Sequence, residues 1–582
     1  MMDVLKLKDA YKQFTADQDK ILPPGETVAR FKKRAAEIGV DLLQETRRID
    51  TGRLGIPVYY SVCGDDARRL TGTNKQMGKG ATPDQAEASA VMELAERYSF
   101  YRFADTADNF TIDTLESLGN KALPFDVIAR SVHDGPGESD IYEGVKAIFE
   151  TLPLRWTPAH NLTTGETTLV PFDWFFMINE FNGTSAGNCN EEAICQGICE
   201  VVERHVSCLA GQQRQSLPGI IPESATDPAV TDMLDKYRDA GIRLWISDLS
   251  YDTGIPTVGV LAWDPDTFPE QSEIVWTAGT APNPEKAMSR ALTETAQLGG
   301  DFNTGACFVE SGMPKFRQID EAAFITGAPV DRPIQALSDL SDENIKTEIE
   351  RCLAALSENG MTVLVINTTD PMLDIPAFYT TIPGTRFYQR AENASAAMFT
   401  AKLIAEQFLP EIALPRLSAM QAAIGDAYFL DFYVGMCHLN AGDVQAALDA
   451  FSRAMDQSPP DQDRVSICSF AGYCLKELER FDEALAMLGK GIALDAERTD
   501  ILNLMGFCYF KQKNHDAAID CFKKLIQIDP SSAIDYANVA SNYRDMGETE
   551  KAVYYYQRAL AIDPAIEFAR ENLKALGGGE VS

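Results

Sequence analysis

A chain of 582 residues is more than one ordinary hydrophobic core can serve, so two or more domains are expected. Its 86 acidic side chains against 52 basic ones give a net charge of −34, a field that repels nucleic acid, and no basic patch overrides it. No run approaches the roughly 18 apolar residues of a membrane helix, and Met1 to Asp19 lacks the apolar segment of a secretory signal, so the expected location is the cytoplasm.

Residues 1 to about 400 mix strand-like runs with amphipathic helices, which predicts an α/β or α+β domain. The first motif, Gly72-Thr73-Asn74-Lys75-Gln76-Met77-Gly78-Lys79-Gly80, fails as a phosphate loop. Gly72 and Gly78 are one residue too far apart, and Gly80 stands where a Ser or Thr should meet Mg²⁺. A small-residue helix follows and carries Glu93, Glu96 and Arg97. A second copy begins at Ala186-Gly187-Asn188: Gly187 matches Gly80, Ala193 matches Ala86, Glu200 matches Glu93, Glu203 matches Glu96 and Arg204 matches Arg97. Cys189, Cys195, Cys199 and Cys208 cluster here without a CxxC pair and read as small buried thiols. A fainter third copy spans Pro284 to Gln297, with Ala287 for Ala86, Glu294 for Glu93 and Gln297 in place of Glu96. Strand-like runs occur at Pro256–Leu261 and Thr362–Ile366.

In each copy a turn feeds a helix whose three- and four-residue spacing puts its charged residues on one face. Singly, these are surface Glu–Arg pairs worth a few tenths of a kcal/mol. Repeated, they imply buried carboxylates, which cost several kcal/mol per ion unless compensated. Arg97, Arg204 and Arg290 supply part of the compensation, and a divalent metal could supply the rest. Mg²⁺ accepts carboxylates, water and phosphate oxygens together, and the glycine-rich turns before the helices could add amide donors for an anion. With five histidines in the whole chain, no Ser–His–Asp or Cys–His constellation is found.

From about Leu414-Pro415-Arg416 helical periodicity takes over. Gly506, Tyr509, Ala518, Phe522 and Pro530 recur as Ala540, Tyr543, Ala552, Tyr556 and Pro564, with an earlier unit at Gly472, Leu475, Ala484 and Leu488 and a less regular one from Gly435. This is the roughly 34-residue period of the tetratricopeptide repeat, four units in all. Such arrays offer a concave groove to peptides or proteins. Dimerisation through the array, giving a homodimer, or a propping role is the alternative. Gly577-Gly578-Gly579 reads as a frayed end.

The GKG-A-T…SA…E-x-x-ER block followed by SAGN…EEA…E-x-x-ER resembles the YcaO-domain proteins over roughly residues 15 to 400. The resemblance implies an α/β (α+β) nucleotide-binding catalytic domain over 1–410, ahead of an all-α repeat solenoid over 419–576. It implies ATP and Mg²⁺ as cofactors, with Lys20, Thr27, Glu93, Glu96, Asn188, Glu192, Gln196, Glu200, Glu203, Arg204, Arg290 and Glu294 around the nucleotide. Within that set, Glu93, Glu96, Glu192, Glu200 and Glu203 would be metal ligands, and Glu200, Glu203 and Arg204 catalytic. The implied chemistry is phosphorylation of a peptide or protein backbone amide at its carbonyl oxygen, giving a thioamide or an azoline. The domain runs into repeats where azoline-forming members often carry a proline-rich tail. That shifts weight to thioamide formation with a TfuA-like partner protein, or to a role linked to ribosomal-protein methylthiolation. An accessory adaptor acting through its repeats is the competing reading.

Overall fold

In the computed structural model, which describes residues 5–13, 20–134, 140–305, 313–387, 395–530 and 532–577, β-branched and aromatic residues concentrate in central strands such as Val58–Cys63 and Thr257–Trp263. Val58–Cys63 (VYYSVC) is the centre of a three-stranded antiparallel sheet between Leu43–Arg48 and Lys75–Lys79. Lys75–Lys79 is thus a ladder strand, its backbone committed to Val58–Cys63, which agrees with rejecting a phosphate loop here.

Thr257–Trp263 (TVGVLAW), buried along nearly its whole length, lies inside a five-stranded sheet ordered Val275–Thr280, Thr257–Trp263, Arg243–Asp248, Gly219–Ile220, Val330–Arg332. The last pair is parallel and the others antiparallel. A six-stranded sheet runs Thr111–Asp113, Leu154–Asn161, Leu364–Asn367, Ala377–Thr381, Thr184–Ala186, with Thr167–Pro171 also on Leu154–Asn161. The mainly antiparallel pairing makes the α+β description the apt one.

Both strand-like runs start later than the sequence suggests. Pro256 has no N–H for a ladder, and Val363 donates its N–H to the Thr163 hydroxyl at 3.1 Å before pairing begins at Leu364. Cys195, Cys199 and Cys208 are buried, as the sequence reading expects, whereas Cys189, just before the helix, is only half-buried.

The chain divides into two compact units, Met1–Glu138 with Lys146–Ala396, and Ser139–Val145 with Ala397–Ser582. Leu414-Pro415-Arg416, where helical periodicity begins in the sequence, lies within the single helix Pro410–Ile424 of the second unit. Pro415 lies in the second turn, where its missing N–H removes the ladder bond to the Glu411 carbonyl, yet the helix continues to Ile424.

In the second unit, the described residues form four helix pairs: Tyr428–Asn440 with Val444–Asp456, Asp461–Glu477 with Phe481–Leu494, Thr499–Lys511 with His515–Ile528, and Ala533–Asp545 with Thr549–Ile562. The glycines explain the close pairing. A Cβ on Gly435, Gly472 or Gly506 would meet Phe451, Leu488 or Phe522 of the partner helix at 2.6, 2.4 and 2.7 Å. Phe522, Tyr536, Ala540, Tyr543 and Tyr556 continue one core across successive pairs, and Glu567–Ala575 covers its end with Ala569 and Leu573. Of the C-terminal glycines, Gly578 and Gly579 lie outside the described residues. No described helix is long and apolar enough to cross a membrane.

Candidate functional site

The three sequence copies are three strand–turn–helix units: Lys75–Lys79 into Pro83–Asp105, Thr184–Ala186 into Asn190–Gln213, and Val275–Thr280 into Pro284–Gly299. Local chemistry fixes each turn. Thr82 and Gln85 form a reciprocal capping box. The Glu192 carboxylate takes the Asn188 N–H at 2.9 Å, and Asn283 caps its helix by accepting from Glu285 N and Lys286 N.

Close strand–helix approach depends on glycine. A Cβ on Gly78 would stand 2.3 Å from the Ala86 carbonyl and 2.1 Å from Ala90 N, and one on Gly279 would stand 2.3 Å from the Ala287 carbonyl and 2.4 Å from Ala291 N. Gly80 and Gly187 press in the same way on Ala86 N and Ala193 N, at 2.8 and 2.6 Å.

The copies interlock. Lys79, at the end of the first strand, is ion-paired with Glu294 on the third helix. Thr280, at the end of the third strand, donates its N–H to Glu203 on the second helix at 3.0 Å. Thr184, on the second strand, donates its hydroxyl to Glu96 on the first helix at 2.5 Å. Arg97 reaches Thr184 at 2.8 Å, Glu96 at 2.8 Å and Glu93 at 3.7 Å. Arg204 lies 3.7 Å from Glu203 and 4.0 Å from Glu200, and Arg290 donates to Gln196 at 2.8 Å.

Glu93, Glu96, Glu200, Glu203 and Glu294 therefore share one hollow with Lys79, Arg97, Arg204 and Arg290. Burial pushes Glu200 up to about 7 against the pull of Arg204, with Glu96 adding to the rise. Burial also raises Glu93 and Glu96, opposed mainly by Arg97. Lys79 is driven down to about 7 by burial, with Glu203 opposing and Arg290 and Arg204 assisting. The Glu93 side chain still keeps 34% of its surface open, so these groups line a hollow that solvent reaches.

The donor set fits a metal–nucleotide. Crowded carboxylates with raised proton affinity gain from a hard divalent cation. The buried Nε of Arg290 has no acceptor in the protein, which suits a phosphate oxygen. Among the described residues no three His, Cys, Asp or Glu side chains converge as a metal-binding group.

Lys20, Thr27, Asn188 and Glu192 form a separate group at the start of the Asn190–Gln213 helix. Glu192 accepts from Ile21 N at 2.6 Å and from Asn188 N and Nδ2 at 2.9 and 3.1 Å. Thr27 donates its hydroxyl to Asn188 Oδ1 at 3.2 Å, and Lys20 is near enough to bias Cys195. The carboxylate of Glu192 is thus occupied by protein donors, unlike those of Glu93 and Glu200. Helical spacing still puts Glu192, Gln196, Glu200 and Glu203 along one face. Sequence reasoning assigned no role to Lys79, Thr184 or Thr280. Lys79 was visible in Gly78-Lys79-Gly80, whereas Thr280 acts through its backbone and leaves no signal in side-chain patterns.

Residues 77–386 match the family model of the ATP- and Mg²⁺-binding YcaO cyclodehydratases, and residues 497–565 match a tetratricopeptide-repeat model. An uncharacterized protein of Methanothermobacter thermautotrophicus is 27% identical over 63% of this chain and 94% of its own. An uncharacterized protein in the tfuA 3′ region of Rhizobium leguminosarum is 26% identical over 48% of this chain and 66% of its own. Two solved structures share the fold. A heterocyclase in complex with substrate and cofactor has TM-score 0.55 and 23% identity, covering 69% of this chain and 57% of that one. YcaO from Methanopyrus kandleri bound with AMPPCP and Mg²⁺ has TM-score 0.50 and 21% identity, covering 66% of this chain and 96% of that one. With its three interlocked strand–turn–helix copies inside the matched span, the chain belongs to the YcaO cyclodehydratase family, whose cofactors are ATP and Mg²⁺.

Proposed function

We propose that this protein is an enzyme that uses ATP to activate a backbone amide of a peptide or protein, phosphorylating the carbonyl oxygen so that it leaves as phosphate. The observation that carries the reading is the hollow shared by five carboxylates and four cations, contributed by all three copies. Glu93, Glu96, Glu200 and Glu203 would hold Mg²⁺, which when bound neutralises phosphate charge and orients the γ-phosphoryl group.

Arg204 and Arg290 offer guanidinium donors to phosphate oxygens, and Lys79 adds an ammonium close to where charge accumulates on transfer. Lys20, Thr27, Asn188 and Gln196 bind or position the rest of the nucleotide. Glu192 acts by holding Asn188 and the chain at Ile21. The nucleophile comes from outside the protein. Sulfide attacking the carbonyl carbon gives a thioamide and phosphate, and a neighbouring Cys, Ser or Thr side chain of the substrate gives an azoline and phosphate. We favour the thioamide, because the chain continues into helices past residue 396. A TfuA-like partner fits that outcome, and the repeat unit would bring the substrate or the partner.

Phosphate release from ATP by the wild type and by Glu203→Gln, with Mg²⁺ and a candidate peptide, tests the assignment. Loss in the variant is expected, and equal release by both would refute it. Mass spectrometry of the same peptide separates the products, since oxygen-to-sulfur exchange adds mass and dehydration removes it. An adaptor role would show as no metal-dependent turnover in either protein.

A further inference from the structure

In the repeat unit, the first helices of the second and third pairs, Asp461–Glu477 and Thr499–Lys511, pack side by side. Gly472 and Gly506 press against their own partner helices, which leaves the next residue of each on the open side. Those residues are Tyr473 and Phe507, one repeat period apart and each 38% exposed. Lys476 Nζ lies 4.6 Å from the Tyr473 ring centre and 5.1 Å from that of Phe507, and Lys511 Nζ lies 5.4 Å from Phe507. Ring, ammonium, ring and ammonium thus alternate across two repeats.

Asn503, Phe507 and Lys511, four residues apart on one helix, are all exposed and form a single stripe of amide, ring and cation. Lys476 is also paired with Glu477. Lys511 has no carboxylate partner among the described residues, in a chain with 86 acidic side chains. Cation–π contacts at exposed sites are weak, so they do not account for two large rings left open at matched positions. Rings of this kind beside polar donors are the usual anchors of a recognition surface.

We propose that this stripe is a docking groove for an extended acidic peptide segment, one that places a large apolar side chain next to a carboxylate. The apolar side chain covers Tyr473 and Phe507, the carboxylate meets Lys511, and the Asn503 amide bonds the peptide backbone. Charge complementarity selects the occupant, since Lys511, which has no carboxylate partner among the described residues, would repel a basic segment and offers an acidic one its counter-ion, while Lys476 is already paired with Glu477. The proposal deepens the reading that the repeats bring substrate or partner. Because the binding needs no nucleotide, it stands or falls apart from the amide chemistry.

The test is fluorescence anisotropy with full-length protein, without ATP, and two labelled dodecapeptides. One alternates Phe and Leu with Asp and Glu, and the other carries Lys at every acidic position. The acidic peptide is expected to bind, and to weaken roughly tenfold with Phe507→Ala and with Lys511→Glu, while Lys511→Arg retains binding. Helicity and ATP hydrolysis should be unchanged in all three. Equal affinity for both peptides, no binding of either, or insensitivity to both substitutions would overturn the proposal. So would sedimentation showing a dimer that Lys511→Glu dissociates, which would make a second copy the occupant. Lys511 is exposed, so its variants remain informative even if Phe507→Ala disturbs the fold.

Discussion

Replacing Glu200 by Gln should make the metal-free protein more stable while ending ATP turnover. Glu200 is held at about 7 instead of 4.5 because burial outweighs the pull of Arg204. Ionising it in the folded protein therefore costs on the order of 3 kcal/mol more than in the unfolded chain. The folded value is the raised one, so the penalty is complete above about pH 7, shrinks as pH falls, and vanishes well below 4.5. Gln keeps the shape without the charge, and Arg204 keeps Glu203 at 3.7 Å. At pH 8 the variant should melt about 3–4 °C above the wild type, given the entropy of unfolding a unit of this size. At pH 5 most of that gain should be gone. Scanning calorimetry in a chelating buffer, following the transition of the first unit, reads both values. A difference that is equal at the two pH values, or a variant less stable at pH 8, would refute the claim that this hollow is electrostatically overloaded before nucleotide binds.

Lys79→Met should lower ATP turnover by roughly 10²-fold, the scale of losing one preorganised charge donor, with the far-ultraviolet dichroism unchanged; steady-state phosphate release checks it. Gly279→Ala should destabilise by about 3 kcal/mol or more, since the added Cβ has backbone on two sides. Gly489→Ala, inside a repeat helix with open space around it, should stabilise by about 0.5–1 kcal/mol; urea titrations of the two variants compare them directly. Glu192→Ala leaves Ile21 N and Asn188 N without their acceptor and should cost about 2–4 kcal/mol. Its loss of nucleotide affinity in calorimetric titration should follow from loosening of the segment around Ile21.

The repeat unit was legible almost residue by residue, because each small residue and each aromatic does one packing task that recurs with the period, as with Gly506 and Phe522. The echo helices were legible for the same reason: Glu93, Glu200 and Glu294 recur where the helix faces the hollow. The grouping of Glu192 was not readable. Its spacing from Glu200 fits one helix face, yet its partners, Ile21 and Asn188, come from chain segments that no periodicity links. Leu414-Pro415-Arg416 reads as a break in the sequence, yet Pro415 lies inside the Pro410–Ile424 helix, which bears it at the loss of one ladder bond.

The order of the interlock explains why carboxylates stand beside loops that look suited to phosphate. The end of the first strand grips the third helix through Lys79 and Glu294, and the end of the third strand grips the second helix through Thr280 and Glu203. The second strand grips the first helix through Thr184 and Glu96. The contacts close a cycle, so no pair of copies completes the hollow, and each acidic side chain is steered by a neighbour's strand. Glu203 and Glu96 each accept a hydrogen bond from a neighbouring copy's strand, while burial still raises Glu93, Glu96 and Glu200 against the pull of Arg97 and Arg204. On the proposed function, the same crowding would favour a metal–nucleotide over a bare anion, since the anion alone would add to the negative charge around Glu200.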